Sequence, residues 1–140
     1  AYCSIRHRGR GNDPPDCEAC SSNGLRVGIE LSELVDGDSI RQAISGGAIQ
    51  LEPLEWDQLR ALVSERILKK DKGATKGGQY DEYVLLLYCD EPRILDQALI
   101  DRLKAHTFSC TALINRVFIL FSYNPWEDCC PYLELRISKE

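Results

Sequence analysis

Six consecutive apolar residues, Tyr83-Val84-Leu85-Leu86-Leu87-Tyr88, constrain this chain more than any other stretch. A run without alternation suits a strand covered on both faces, the inner position in the sheet of an α/β domain. Pro92 breaks the run. Ile94 to Ala105 then reads as an amphipathic helix, with Leu95, Leu99 and Leu103 at four-residue steps. Arg116 to Tyr123 is a second buried strand, closed by Asn124-Pro125. Strand, helix and strand in this order imply a right-handed parallel crossover.

Upstream, residues 16–20 and 25–34 read as two strands joined by Ser21-Ser22-Asn23-Gly24, which has the composition of a hairpin turn. In the second strand Val27, Ile29 and Leu31 alternate with Gly28, Glu30 and Ser32, so one face is apolar and the other small or polar. A short helix is expected over residues 36–50 and a stronger one from Leu54 to Lys70. Residues 132–138 alternate as an edge strand, and residues 1–13 read as irregular. The expected order is β-β-α-α-β-α-β-β, a mixed central sheet flanked by helices. The 140 residues suffice for one domain, 1–140, with a real core.

No apolar run approaches the roughly 20 residues of a membrane span, and no signal-peptide core opens the chain, so the expectation is a cytoplasmic protein without a membrane partner. Seven cysteines, an odd number, argue against a disulfide framework. The chain opens on Ala-Tyr and has no methionine. That fits a trimmed product lacking an upstream helix. A net charge of −5 argues mildly against a dedicated nucleic-acid module. Two basic clusters nonetheless suit phosphate contact: Arg6, His7, Arg8 and Arg10 at the start, and Arg60 to Lys76 further on.

The residues that could do chemistry lie on the hairpin. Asp13-Pro14-Pro15-Asp16 places an acid at a proline-braced strand entrance, and Glu30 stands on the next strand. Strand register decides whether they meet. Two such carboxylates repel unless a cation lies between them, and hard oxygen donors suit Mg²⁺ or Mn²⁺. On the strong helix, Leu59, Leu62, Val63 and Ile67 form an apolar stripe, and Lys70 falls near its middle. A lysine there must either reach water or meet a carboxylate. Lys69 falls toward one edge and Lys72 points away.

A rival set, Cys3, His7, Cys17 and Cys20, has enough soft ligands for tetrahedral zinc. Cys17 and Cys20 fall inside an expected strand, which disfavours it. Trp126 with Tyr123, beside Pro125, suits either a stacking surface for a base or plain loop packing.

The segment Pro15-Asp16 … Ile29-Glu30-Leu31-Ser32 resembles the PD-(D/E)XK, or restriction-endonuclease-like, nuclease superfamily. It looks most like a bacterial branch written PDF…IGIEVTEL. The resemblance implies that Asp16 and Glu30 hold Mg²⁺ (or Mn²⁺) for phosphodiester hydrolysis. The family's lysine position is occupied by Ser32, which would line the site, and Lys70 is the candidate replacement. Arg8, Arg10, Lys69 and Lys72 would contact phosphates of DNA or RNA, and a nuclease cutting both strands would be a homodimer. The alternative is a catalytically degenerate member of the same fold that binds nucleic acid or protein.

Overall fold

The computed structural model describes residues 1–35, 45–46, 54–73, 75–90 and 96–139. Its strands are β1 (Tyr2–His7), β2 (Cys17–Ser21), β3 (Arg26–Glu33), β4 (Glu82–Cys89), β5 (Thr107–Phe108), β6 (Arg116–Phe121) and β7 (Tyr132–Ile137). The helices are α1 (Trp56–Asp71), before β4, and α2 (Gln97–Ala105), before β5. All seven strands join one sheet in the order β1-β2-β3-β4-β6-β7-β5. The α/β class and the mixed sheet agree with expectation, since β3, β4 and β6 run parallel while β1–β2, β2–β3 and β6–β7 are antiparallel.

The expected element order is corrected. Residues 2–7, read as irregular, form edge strand β1, and Thr107–Phe108 adds a short strand beside β7. Polar, exposed Cys3, Ser4 and Arg6 give β1 no apolar alternation to announce it. The helix expected over 36–50 lies outside the described residues apart from Ser45 and Gly46, as does the start of the helix expected from Ile94.

The hairpin forms because its turn chemistry fits. Gly24 takes φ +78, Gly24 N–H donates to Ser21 O at 3.0 Å, and Leu25 N–H donates to Ser21 Oγ at 3.0 Å. At the start of α1, Glu55 and Gln58 make a reciprocal capping box, with Glu55 N–H donating to Gln58 Oε1 at 3.0 Å.

Both described helices pack on one face of the sheet. Leu59, Val63 and Ile67 of α1 and Leu99 and Leu103 of α2 share a core with Tyr83, Leu85 and Leu87 of β4 and with Val117 and Ile119 of β6. Each fully buried aliphatic side chain contributes about 1.5–3 kcal/mol. The opposite face carries a smaller cluster of Ala19, Val27 and Val84, with Ile29 and Phe118 packed against it.

Strand β4 is therefore not covered equally on its two sides: Leu86 is half-buried and Tyr88 exposed, because these helices cover only the face of Tyr83, Leu85 and Leu87. Strand β3 reverses the simple reading of its alternation. Its small and polar residues Gly28 and Glu30 face the helix layer, while Leu31 on the apolar face is exposed. Among the described residues no helix is long and apolar enough to cross a membrane.

Candidate active site

Cys17 pairs with Ile29 and Glu18 with Gly28. Asp16 stands immediately before β2, next to this pairing. The Asp16 carboxylate is fixed there, accepting from Leu31 N–H at Oδ2 (2.7 Å). Its backbone is tied on the other side, where Asp16 O accepts from Arg8 N–H at 2.9 Å. Pro15, immediately before it, is fully buried. The proline brace thus positions the strand entrance by packing.

Glu30 is buried, with 6% of its surface exposed. A carboxylate at that depth needs partners, and it has two. Lys70 Nζ reaches Glu30 Oε1 at 2.5 Å from the last turn of α1, and the Tyr83 hydroxyl donates to Oε2 at 3.4 Å. Burial pushes the Tyr83 phenol up from its ordinary value, and the Glu30 charge beside it pushes it further. Tyr83 therefore stays protonated and serves as a donor.

Lys70 follows buried Ile67 by one turn, which aims it at the sheet; its side chain keeps 29% exposure. Ser32, two residues beyond Glu30, lies half-buried on the same face of β3, opposite Leu87 of β4. Glu30, Lys70 and Ser32 are thus brought to one face of the hairpin, and the Asp16 carboxylate is held on the backbone N–H of Leu31, between Glu30 and Ser32.

A second buried carboxylate, Glu18, lies one step along the same face and was not singled out from sequence. Arg6 Nη2 (2.8 Å), Arg8 Nε (3.4 Å) and Arg26 Nη2 (2.6 Å) surround it, and the Tyr80 hydroxyl donates to it at 2.6 Å. Hydrogen bonds from Tyr80 and Arg6, then Arg26, hold its pKa down to about 2, against the opposing effect of burial. The signal available in sequence was the density of arginines around the hairpin. What it lacked was β1, which carries Arg6 to its cross-strand partner Glu18.

Of the residues expected to contact phosphate, Arg10, Lys69 and Lys72 are exposed. Arg8 is committed inward, its side chain only 12% exposed and its Nη1 donating to Lys76 O at 2.7 Å. The rival zinc set is not gathered at one point. Cys3 faces Cys20 and His7 faces Cys17, two separate cross-strand pairs. Cys17 and Cys20, three residues apart in a strand, project from opposite faces. Trp126 is not packed: it is 94% exposed on a turn closed by Asn124 and Cys129.

Among the described residues no group of three or more His, Cys, Asp or Glu side chains gathers to hold a metal ion. Mg²⁺, however, is commonly held by one or two carboxylates plus waters and substrate phosphates. Asp16 and Glu30 are hard carboxylate donors of that type. No family model, curated protein or solved structure matches this chain.

Proposed function

We propose that this chain is a Mg²⁺-dependent nuclease-like domain that hydrolyses phosphodiester bonds of nucleic acid. The observation that carries the reading is buried Glu30 with Lys70 Nζ at 2.5 Å, and the Asp16 carboxylate held on the N–H of the next residue, Leu31, at 2.7 Å. The β-β-α-β arrangement around these residues is compatible with the PD-(D/E)XK superfamily, which the Pro15-Asp16 and Ile29-Glu30-Leu31-Ser32 segments resemble.

In this reading Asp16 and Glu30 hold the cation, which supplies charge compensation for the phosphate and a more acidic water. Lys70 neutralises Glu30 while the site is empty of phosphate. With substrate in place, its ammonium is within reach of developing negative charge. It takes the part that Ser32, a neutral hydroxyl, cannot. Tyr83 holds Glu30 Oε2 in place, and the Leu31 amide does the same for Asp16.

The test is cleavage of single- and double-stranded DNA and RNA with Mg²⁺ or Mn²⁺ by wild type, Asp16→Ala and Glu30→Ala. Loss of cleavage in both variants, with folding retained, supports the assignment, and undiminished cleavage in both removes it. A binding-only module is the second reading. In its favour, both Glu30 oxygens already accept hydrogen bonds from protein donors. Calorimetric titration with Mn²⁺ separates the two, because the binding-only module has no ion site that depends on Glu30.

A further inference from the structure

The arginine cluster around Glu18 has no task in the chemistry just described, and its charge does not balance. Three guanidinium groups meet one carboxylate. Lys76 touches the cluster through its backbone, its carbonyl accepting from Arg8 Nη1 at 2.7 Å, while its Nζ donates to Gly11 O at 3.3 Å. Asp81, a nearby acid, accepts from the Arg26 backbone N–H at 2.7 Å.

The three arginines differ in what they leave available. Arg8 is nearly covered and spends Nη1 on the carbonyls of Lys76 and Pro14. Arg26 lies over the Tyr80 ring at 4.4 Å, donates from Nη1 to Gly77 O at 2.8 Å, and keeps 41% of its side chain exposed. Arg6 grips Glu18 through Nε and Nη2 and keeps 77% exposed. Arg6 and Arg26 border an open groove of about 480 Å³, whose other walls are Ser4, Glu18, Ala19 and Cys20.

We propose that Arg6 and Arg26 form a phosphate-binding subsite for a nucleic-acid strand, with Glu18 as the positioning residue that fixes both guanidinium groups at the groove. It rests on the reading above in taking nucleic acid as the source of the phosphate. A guanidinium presents paired donors in a rigid fork that matches phosphate geometry, and one already held on a carboxylate loses little freedom on binding. Glu18 stands opposite Gly28, two residues from Glu30 along the same face of β3, a step of about 6.6–6.8 Å. A strand whose scissile phosphate lies at Asp16 and Glu30 would therefore place a neighbouring phosphate toward Arg6 and Arg26.

The experiment is fluorescence anisotropy with a labelled single-stranded 12-mer (length about one helical turn of duplex) in chelator, at several salt concentrations. Arg6→Gln is the primary variant because its side chain is exposed. Arg6→Gln combined with Arg26→Gln is the stronger one, and Arg6→Lys keeps the charge. We expect several-fold weaker binding for every sequence tried. The slope of log K against log salt should become shallower by about 0.7 per arginine removed, and Arg6→Lys should restore it. In wild type, the Nε–H resonances of Arg6 and Arg26 should shift on titration with the strand, a readout that needs no substitution.

Wild-type affinity and slope in the double variant would overturn the subsite, as would a wild type that binds no strand. The two ideas are read separately: cleavage by Asp16→Ala and Glu30→Ala tests the metal reading, and strand binding by the arginine variants in chelator tests the subsite. Weakened binding in the arginine variants with undiminished cleavage in Asp16→Ala and Glu30→Ala would uphold the subsite and remove the metal reading.

Discussion

Gly28 and Tyr83 approach so closely that a Cβ on residue 28 would stand 2.9 Å from Tyr83 Cδ2 and 3.1 Å from Tyr80 Cγ. The two tyrosine rings, edge to face with centroids 6.1 Å apart, fill the place a side chain would take. Each delivers its hydroxyl to a different buried carboxylate, Tyr80 to Glu18 and Tyr83 to Glu30. Gly28→Ala should therefore cost about 1–3 kcal/mol, the usual penalty of overpacking. Urea denaturation measures this, and an unchanged midpoint would mean the rings can give way.

The acid limb of the stability curve should depend on Glu18. Its folded pKa, about 2, lies below the ordinary 4.5, so its contribution is fully present above about pH 4.5 and is lost as pH falls toward about 2. Replacing it with Gln removes a group that binds a proton more tightly unfolded than folded. The stability gap between wild type and Glu18→Gln should then be widest above about pH 4.5 and close as pH falls toward about 2. A gap constant with pH would mean the carboxylate is not held by its charge.

Lys70 and Glu30 should be coupled in stability. Removing either partner leaves the other partly desolvated and unpaired, which costs more than removing both. In a double-mutant cycle of Lys70→Met and Glu30→Gln we expect a coupling of about 1–3 kcal/mol. The double variant should regain stability relative to Lys70→Met without regaining cleavage. Additive effects would mean the contact is worth nothing to the fold.

Asp71 organises the segment before β6. Its carboxylate accepts from the N–H groups of Ala112 (2.8 Å), Leu113 (2.8 Å) and Ile114 (3.0 Å). Burial raises its pKa, but these three bonds outweigh burial and leave it below the ordinary value. Asp71→Ala should cost about 2–4 kcal/mol by stripping charge-assisted bonds from three amides. Amide hydrogen exchange at residues 112–114 should quicken well beyond the change at β4. Uniform quickening would indicate a global effect only.

Much of this arrangement was legible in the sequence wherever a period or a turn residue recorded it. The hairpin expected at 16–20 and 25–34 is found at Cys17–Ser21 and Arg26–Glu33, because Ser21 and Gly24 suit that turn. Helical phase aimed Lys70 inward, and it meets Glu30. Strand β1 left no trace, since an exposed edge strand needs no alternation. The Glu18 cluster was hidden for the same reason, because Arg6 reaches Glu18 only through that strand. Which face of β3 the helices would cover was also not written locally. Gly28 and Glu30 look like a solvent face until Tyr80, Tyr83 and Lys70, supplied from elsewhere in the chain, fill and neutralise it.

Consecutive residues at the end of α1, Lys70 and Asp71, are tied to different parts of the sheet, one to β3 and the other to the segment entering β6. Each residue turns the helix by about 100°. Inserting or deleting one residue between Trp56 and Ile67, with the start of the helix held in place, would swing both side chains off their partners together. A whole-turn change would restore their direction but shift both by about 5.4 Å along the axis, so the length of this helix should be fixed while substitutions on its exposed side remain free to vary.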